Sequence, residues 1–169
     1  MTQTKEATAS GSAELAINGG DPVTSTPVPF IRVALAEEDI QAALETLRAG
    51  MLCQGARVAE LQKRFAEMTG ARHALACANG TCALQLVYEP LFAPGDEVLV
   101  PAWTYVGTAS MIAARGGVPV FCDADPETYG IDVEDAGARV TKRTRAIAAT
   151  HLYGNPVDID GVQSLAGRH

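Results

Sequence analysis

Residues 94–132, PGDEVLVPAWTYVGTASMIAARGGVPVFCDADPETYGID, decide the fold of this chain. A short apolar run at 97–100 is followed by a helical stretch at 105–114 and by a second apolar run at 118–122. Gly, Pro and Asp residues separate the three segments, as expected where a chain turns between elements. Short apolar strands that alternate with helices are typical of parallel strands in one sheet. The stretch therefore predicts a strand–helix–strand unit.

The same alternation extends to both sides of this stretch. We predict further strands at 73–77 and 145–150, and further helices at 81–89, at 133–140 and from about residue 159. Two amphipathic helices precede them, at 37–49, before Gly50, and at 56–69, before Gly70. Because the strands are apolar on both faces, helices should cover the sheet from both sides. The predicted fold class is α/β, a three-layer α/β/α arrangement around a mostly parallel sheet.

The size and charge of the chain limit its function. Its 169 residues suit one domain, and 47% hydrophobic against 20% charged residues exclude intrinsic disorder. Thirteen Lys and Arg against 20 Asp and Glu leave a net charge of −7, which argues against nucleic acid and anionic membranes as partners. Glycines and prolines between residues 19 and 29 predict a flexible N-terminal arm at 1–27, followed by one domain at 28–169.

The sequence predicts a cytoplasmic location. The polar start of the chain has no apolar segment typical of a signal peptide, and no apolar run is long enough for a membrane span. Four cysteines stand at irregular spacings inside apolar segments. We expect buried free thiols rather than disulfides or a zinc site.

Four loops follow the predicted strands, at 78–81, 101–105, 123–125 and 151–154. Ligands of parallel sheets bind beyond the carboxyl ends of the strands, so functional residues are expected there. Asn79-Gly80-Thr81 joins a strand to a helix, where backbone N–H groups and the Thr81 hydroxyl would suit a phosphate. The same residues would also serve as a tight turn and a helix cap.

The remaining loops hold aromatic and ionisable candidates. Trp103 and Tyr105 would cover a planar heteroaromatic ring, or belong to the core. Asp123 and Asp125 would bind Mg²⁺ for phosphoryl transfer, or shape the turn at Pro126. His151 is the histidine that follows a predicted strand. It would act in the site, or be a hydrogen-bonded structural residue.

Taken together, four ordered motifs resemble the DegT/DnrJ/EryC1/StrS family of sugar aminotransferases. These are pyridoxal-phosphate (PLP) enzymes of the aspartate aminotransferase fold, fold type I. The motifs cover nearly everything from about residue 28 to His169: LRAGMLCQGARVAELQKRFAEMTG at 47–70, NGTCALQL at 79–86, the stretch at 94–132, and TKRTRAIAATHLYGNPVDIDGV at 141–162.

The resemblance implies roles for individual residues. Gly80 and Thr81 would hold the cofactor phosphate, Cys82 would contribute its backbone N–H, and Tyr105 would stack on the pyridine ring. The substrate pocket would include Gln54, Trp103 and His151. The acidic pair would have no catalytic role.

The resemblance also implies a reaction. The full-length enzyme, expected to be a homodimer, would transfer an amino group from glutamine or glutamate to a keto-sugar or keto-cyclitol, as in nucleotide-sugar or antibiotic biosynthesis. The acid for the pyridinium nitrogen, the Schiff-base lysine and a small C-terminal domain are expected beyond residue 169. No catalytic residue is therefore assigned within the chain, which should be inactive alone. Two alternatives stay open, namely a non-catalytic PLP- or phosphate-binding remnant and Mg²⁺-dependent phosphoryl transfer through Asp123.

Overall fold

A computed structural model describes residues 14–169, and the first 13 residues of the predicted arm lie outside the described part. The chain divides into two compact units, Met1–Gly55 and Ala56–His169, and the arm at 1–27 stays a prediction. In the first unit, a 3-10 turn (Ala16–Asn18) precedes helix α1 (Glu37–Ala49). The Asp39 carboxylate accepts a hydrogen bond from the Ala36 N–H at 3.1 Å, which satisfies one free donor at the helix start.

The second unit contains the sheet and its covering helices. Its elements are α2 (Ala56–Thr69), α3 (Gly80–Tyr88), β1 (Glu97–Pro101), α4 (Val106–Ala114), β2 (Val118–Cys122), α5 (Val133–Ala138), β3 (Thr144–Ile147) and α6 (Ile159–Arg168). The strand order is β2-β1-β3, and β1 pairs in parallel with both neighbours. The predicted parallel sheet is therefore confirmed. No helix among residues 14–169 is long and apolar enough to cross a membrane.

The central strand β1 is buried on both faces. Val98, Leu99 and Val100 have no exposed surface. Val98 and Val100 belong to one cluster with residues of α3 and α4, whereas Leu99 belongs to a second cluster with residues of α5 and α6. Successive side chains of a strand point to opposite faces, so the two clusters lie on opposite sides of the sheet. This confirms the three-layer arrangement.

An ion pair joins Glu97, the buried first residue of β1, to the exposed side chain of Arg143 in the turn before β3. The Glu97 carboxylate accepts hydrogen bonds from Thr141 Oγ1 at 2.5 Å and from Arg143 Nε at 2.9 Å and Nη2. These donors, the Thr141 hydroxyl first, hold the pKa of Glu97 below its usual range. A buried carboxylate is tolerated here because charge-assisted hydrogen bonds replace its hydration.

The predicted strand at 73–77 is wrong. These residues lie outside every strand of the described chain, and their side chains are mostly exposed, Leu75 by 81%. The Ala76 N–H donates to Gln62 Oε1 of α2 at 3.0 Å. A short apolar segment forms a strand only where a neighbouring strand exchanges hydrogen bonds with it, and no strand of the described residues pairs with this one.

Strand β3 ends three residues earlier than predicted. The Ala148 N–H still donates to the Leu99 carbonyl at 2.8 Å. In a parallel ladder the next donor on β1 is two residues further, at Pro101, which has no N–H. The pairing stops there, and residues 148–151 continue as the loop that carries His151.

The prediction of four buried thiols is correct for Cys122 alone. Cys53 and Cys77 are exposed and Cys82 is half-buried. All four are free. Burial raises the pKa of Cys122 to about 11, so this thiol is protonated at neutral pH.

Candidate active site

An open cavity of about 890 Å³ lies within the second unit. Its wall is built by the first turn and one face of α3, by Tyr105 and Thr108 at the start of α4, and by residues 146–151 after the middle of β3. The structure thus brings together Gly80, Thr81, Tyr105 and His151. Sequence separation between the first and last of these residues is 71 positions, so the sheet topology and not local structure creates the cavity.

The start of α3 presents polar groups to this cavity. Gly80 and Thr81 are the first two residues of the helix, whose N–H groups have no carbonyl partner within it. A Cβ placed on Gly80 would have no atom within 4 Å, so the space beside this backbone is open. Free N–H groups at the positive end of a helix, next to a hydroxyl, favour an anion.

The backbone N–H of Cys82, unlike those of Gly80 and Thr81, already has a hydrogen-bond acceptor within the protein. Its N–H donates to Asn79 Oδ1 at 2.9 Å, which makes Asn79 the cap of α3. Cys82 also does not line the cavity. An anion would have to compete with the Asn79 side chain for this N–H, so the expected contribution of Cys82 stays a prediction.

Gly107 leaves space for the side chains of Thr81 and Tyr105 beside its backbone. A Cβ on Gly107 would lie 3.0 Å from Thr81 Oγ1 and 3.1 Å from two carbons of the Tyr105 ring. The hydroxyl and the ring therefore both border the space beside the Gly107 backbone that a side chain would fill. The Tyr105 side chain is 71% exposed, which leaves its ring accessible to a flat ligand.

A chain of threonine hydroxyls connects two of the loops. Thr104 Oγ1 lies 3.2 Å from Thr108 Oγ1 and 3.3 Å from Thr150 Oγ1. The Tyr88 hydroxyl donates to the Thr108 carbonyl at 3.4 Å, and burial raises the pKa of Tyr88. Sequence reasoning missed these threonines. Thr104 precedes α4 and Thr108 lies within it, and nothing in the sequence relates Thr150 to either.

His151 lines the cavity from the loop after β3. Its Nδ1 accepts a hydrogen bond from the backbone N–H of Val157 at 3.1 Å. Val157 is only 3% exposed, so this bond satisfies a donor on a buried residue.

The other two predicted pocket residues, Trp103 and Gln54, are not among the residues that line the cavity. Trp103 is 58% exposed and does not line the cavity. Gln54 belongs to the first unit, so its place in the substrate pocket stays a prediction.

The acidic loop after β2 has a structural use. Asp125 Oδ1 accepts hydrogen bonds from Glu127 N at 3.0 Å, Thr128 N at 2.7 Å and Thr128 Oγ1 at 2.9 Å. These bonds, those of Thr128 first, lower the pKa of Asp125. Across the described part of the chain, no group of three or more His, Cys, Asp and Glu side chains could hold a metal ion. The alternative of phosphoryl transfer through Asp123 stays a hypothesis.

Comparison with known proteins identifies relatives of this chain. It is 41% identical over 138 residues to UDP-2-acetamido-2-deoxy-3-oxo-D-glucuronate aminotransferase of Pseudomonas aeruginosa, covering 80% of this chain and 38% of the relative. It is 42% identical over 116 residues to GDP-perosamine synthase of Caulobacter vibrioides, covering 68% of this chain and 31% of that relative. The chain thus spans about a third of the length of these relatives.

A solved structure shares the fold. GDP-4-keto-6-deoxy-D-mannose-3-dehydratase of E. coli, solved with bound hydrated PLP, superposes with a TM-score of 0.76 at 27% identity, covering 82% of this chain and 38% of that one. The model of the DegT/DnrJ/EryC1/StrS aminotransferase family matches residues 33–169. This chain belongs to the DegT/DnrJ/EryC1/StrS aminotransferase family.

Proposed function

We propose that this chain forms the phosphate-holding and ring-stacking side of a PLP-dependent aminotransferase. The observation that carries the proposal is that Thr81 and Tyr105 line one cavity, where the hydroxyl of the first and the ring of the second both border the space beside the Gly107 backbone. Family membership and two curated relatives whose names describe sugar amination support the reaction class.

The residues at the cavity fit the cofactor. A phosphate ester needs several donors and a positive helix end, and Gly80 and Thr81 supply two backbone N–H groups and a hydroxyl. The open space at Gly80 lets a phosphate approach the backbone. The exposed ring of Tyr105 would cover one face of the pyridine ring. PLP, when bound, supplies an electron sink for amino-group transfer.

The amino acceptor that we propose is a keto-sugar or keto-cyclitol, with glutamine or glutamate as donor. Gln54 and Trp103 stay candidates for the substrate pocket, and a homodimer stays the proposed form of the full-length enzyme. None of the described residues that line the cavity is a lysine. We therefore expect the 169-residue polypeptide to bind PLP reversibly and to show no transamination when assayed alone. The alternative of a non-catalytic PLP-binding remnant predicts the same two results.

A direct binding titration tests the proposal. PLP is titrated into the 169-residue protein and into Thr81→Ala and Thr81→Ser, with inorganic phosphate as competitor. Loss of one hydrogen bond of about 1.4 kcal/mol weakens binding about tenfold, so Thr81→Ala should raise Kd by that factor. Thr81→Ser keeps the hydroxyl and should bind like the parent.

Tyr105 provides the second arm of this test. Tyr105→Ala should weaken PLP binding, whereas Tyr105→Phe keeps the ring and should not. Equal affinity in all four variants, or binding that inorganic phosphate does not oppose, would contradict the proposed site.

A further inference from the structure

The imidazole of His151 is held in one orientation by the backbone. Because Nδ1 accepts the Val157 N–H at 3.1 Å, this nitrogen carries no proton in the structure. The proton of the neutral ring is then on Nε2. His151 is exposed and lines the cavity, so the ring is available to a ligand there.

Contacts from the acidic loop hold the segment between His151 and Val157. The side-chain amide of Asn155 donates to the carbonyls of Glu127 at 3.4 Å and Thr128 at 3.1 Å. These carbonyls belong to the turn that the Asp125 carboxylate organises. The segment that carries the histidine is thus tied to the loop after β2 as well as to its own backbone.

Two tyrosines in unusual backbone conformations face each other at this junction. Tyr129 has φ of 59° and Tyr153 has φ of 56°, and their rings meet edge to face with centroids 6.4 Å apart. A positive φ is unfavourable for a residue with a Cβ and persists where the surroundings stabilise it. The loop of His151 therefore has a defined conformation before any ligand binds.

We propose that His151 Nε2–H is a hydrogen-bond donor for a keto or hydroxyl oxygen of the molecule in the cavity. This inference rests on the proposed function and adds a specificity-determining residue to it. A ring with Nδ1 engaged and a proton on Nε2 can donate at Nε2 but cannot accept. It therefore favours an oxygen acceptor over an ammonium group. Asn155 is a positioning residue, which acts through the loop.

The tautomer is measurable without a ligand. In mildly alkaline buffer, ¹⁵N chemical shifts of the ring should show an unprotonated Nδ1 and a protonated Nε2 at His151. Asn155→Asp removes the amide donors at nearly constant shape and should give a mixture of tautomers. A mixture of tautomers in the parent protein would contradict the proposed orientation of the His151 ring. Unchanged ¹⁵N shifts in Asn155→Asp would contradict the role of Asn155.

Binding of two probes tests the donor itself. PLP has aldehyde and hydroxyl oxygens on its ring, whereas phenyl phosphate offers the phosphate and a ring without them. His151→Asn keeps an acceptor for the Val157 N–H and loses Nε2. We expect His151→Asn to bind PLP about tenfold more weakly and phenyl phosphate as the parent does. His151→Ala should add a loss of stability, because the Val157 N–H loses its partner.

The outcomes separate this inference from the proposed function. Thr81→Ala should weaken both probes, because both have the phosphate. If Thr81→Ala weakens both while His151→Asn weakens neither, the role of His151 is refuted and the proposed function stands. If His151→Asn weakens both probes equally, its effect is structural and the donor role falls. If Thr81→Ala changes neither probe, or the parent binds neither, the proposed function fails and the inference fails with it.

Discussion

Gly107→Ala perturbs Thr81 and Tyr105 at once, and both belong to the proposed site. The added Cβ would lie 3.0 Å from the Thr81 hydroxyl and 3.1 Å from the Tyr105 ring, whereas ordinary contacts begin at 3.4 Å. The hydroxyl, the ring or both must therefore move by a few tenths of an ångström. We expect this shift to affect ligand binding far more than folding.

The magnitudes support this separation. Alanine is favoured over glycine in a helix by about 0.5–1 kcal/mol. The exposed Tyr105 ring has room to move, so the free energy of unfolding should change by less than about 1 kcal/mol. A misplaced hydroxyl loses most of one hydrogen bond to phosphate, about 1.4 kcal/mol, which corresponds to a tenfold rise in the Kd for PLP.

The assay compares urea unfolding with PLP titration in Gly107→Ala and in a matched control, Gly167→Ala. Gly167 is also helical, and a Cβ there would meet nothing within 4 Å. The control should keep the parental Kd. Parental PLP affinity in Gly107→Ala would refute the reasoning, and so would a loss of affinity that follows a large loss of stability.

Three further predictions concern the core, the buried carboxylate and the thiols. Leu165→Ala should destabilise the protein by about 2–5 kcal/mol in urea unfolding, because Leu165 is 1% exposed, whereas Leu86→Ala at a 57% exposed position should have little effect. The pKa of Glu97 is lowered below its ordinary value of 4.5. The contribution of this carboxylate to the free energy of unfolding is therefore present above pH 4.5 and is lost as the pH falls through the folded-state pKa. Glu97→Gln should therefore be less stable at neutral pH, and its stability should fall less steeply in acid; parallel pH profiles would contradict this. Ellman's reagent should modify Cys53 at once and Cys122 only after unfolding, since the Cys122 thiol is buried with a pKa of about 11.

Helix and strand positions followed largely from local patterns. The bounds of α1, α2 and β2 agree with those predicted from periodicity and from Gly stops. Helix α3 ends at Tyr88 because Pro90, two residues later, cannot continue a helix. These features depend on residues within a few positions of one another, so they can be predicted from the local sequence.

The strand at 73–77 shows where local patterns fail. It was predicted from a short apolar run, but a strand is defined by hydrogen bonds to another segment. The sheet of the described residues provides no partner for it. The shortened β3 has a similar cause, because Pro101 on the neighbouring strand lacks the necessary N–H.

For the candidate site, Tyr105 and His151 were selected because they follow strands that the structure contains, whereas Gly80 and Thr81 were selected after a predicted strand at 73–77 that does not form. Folding added the relations between them: the approach of the Thr81 hydroxyl and the Tyr105 ring to the space beside the Gly107 backbone, the hydroxyl chain that reaches Thr150, and the bond from Val157 to the His151 ring. Residue type and spacing specify which chemical groups a chain carries. The distances between those groups depend on the order and register of strands distant in sequence, which are determined by packing of the whole sheet.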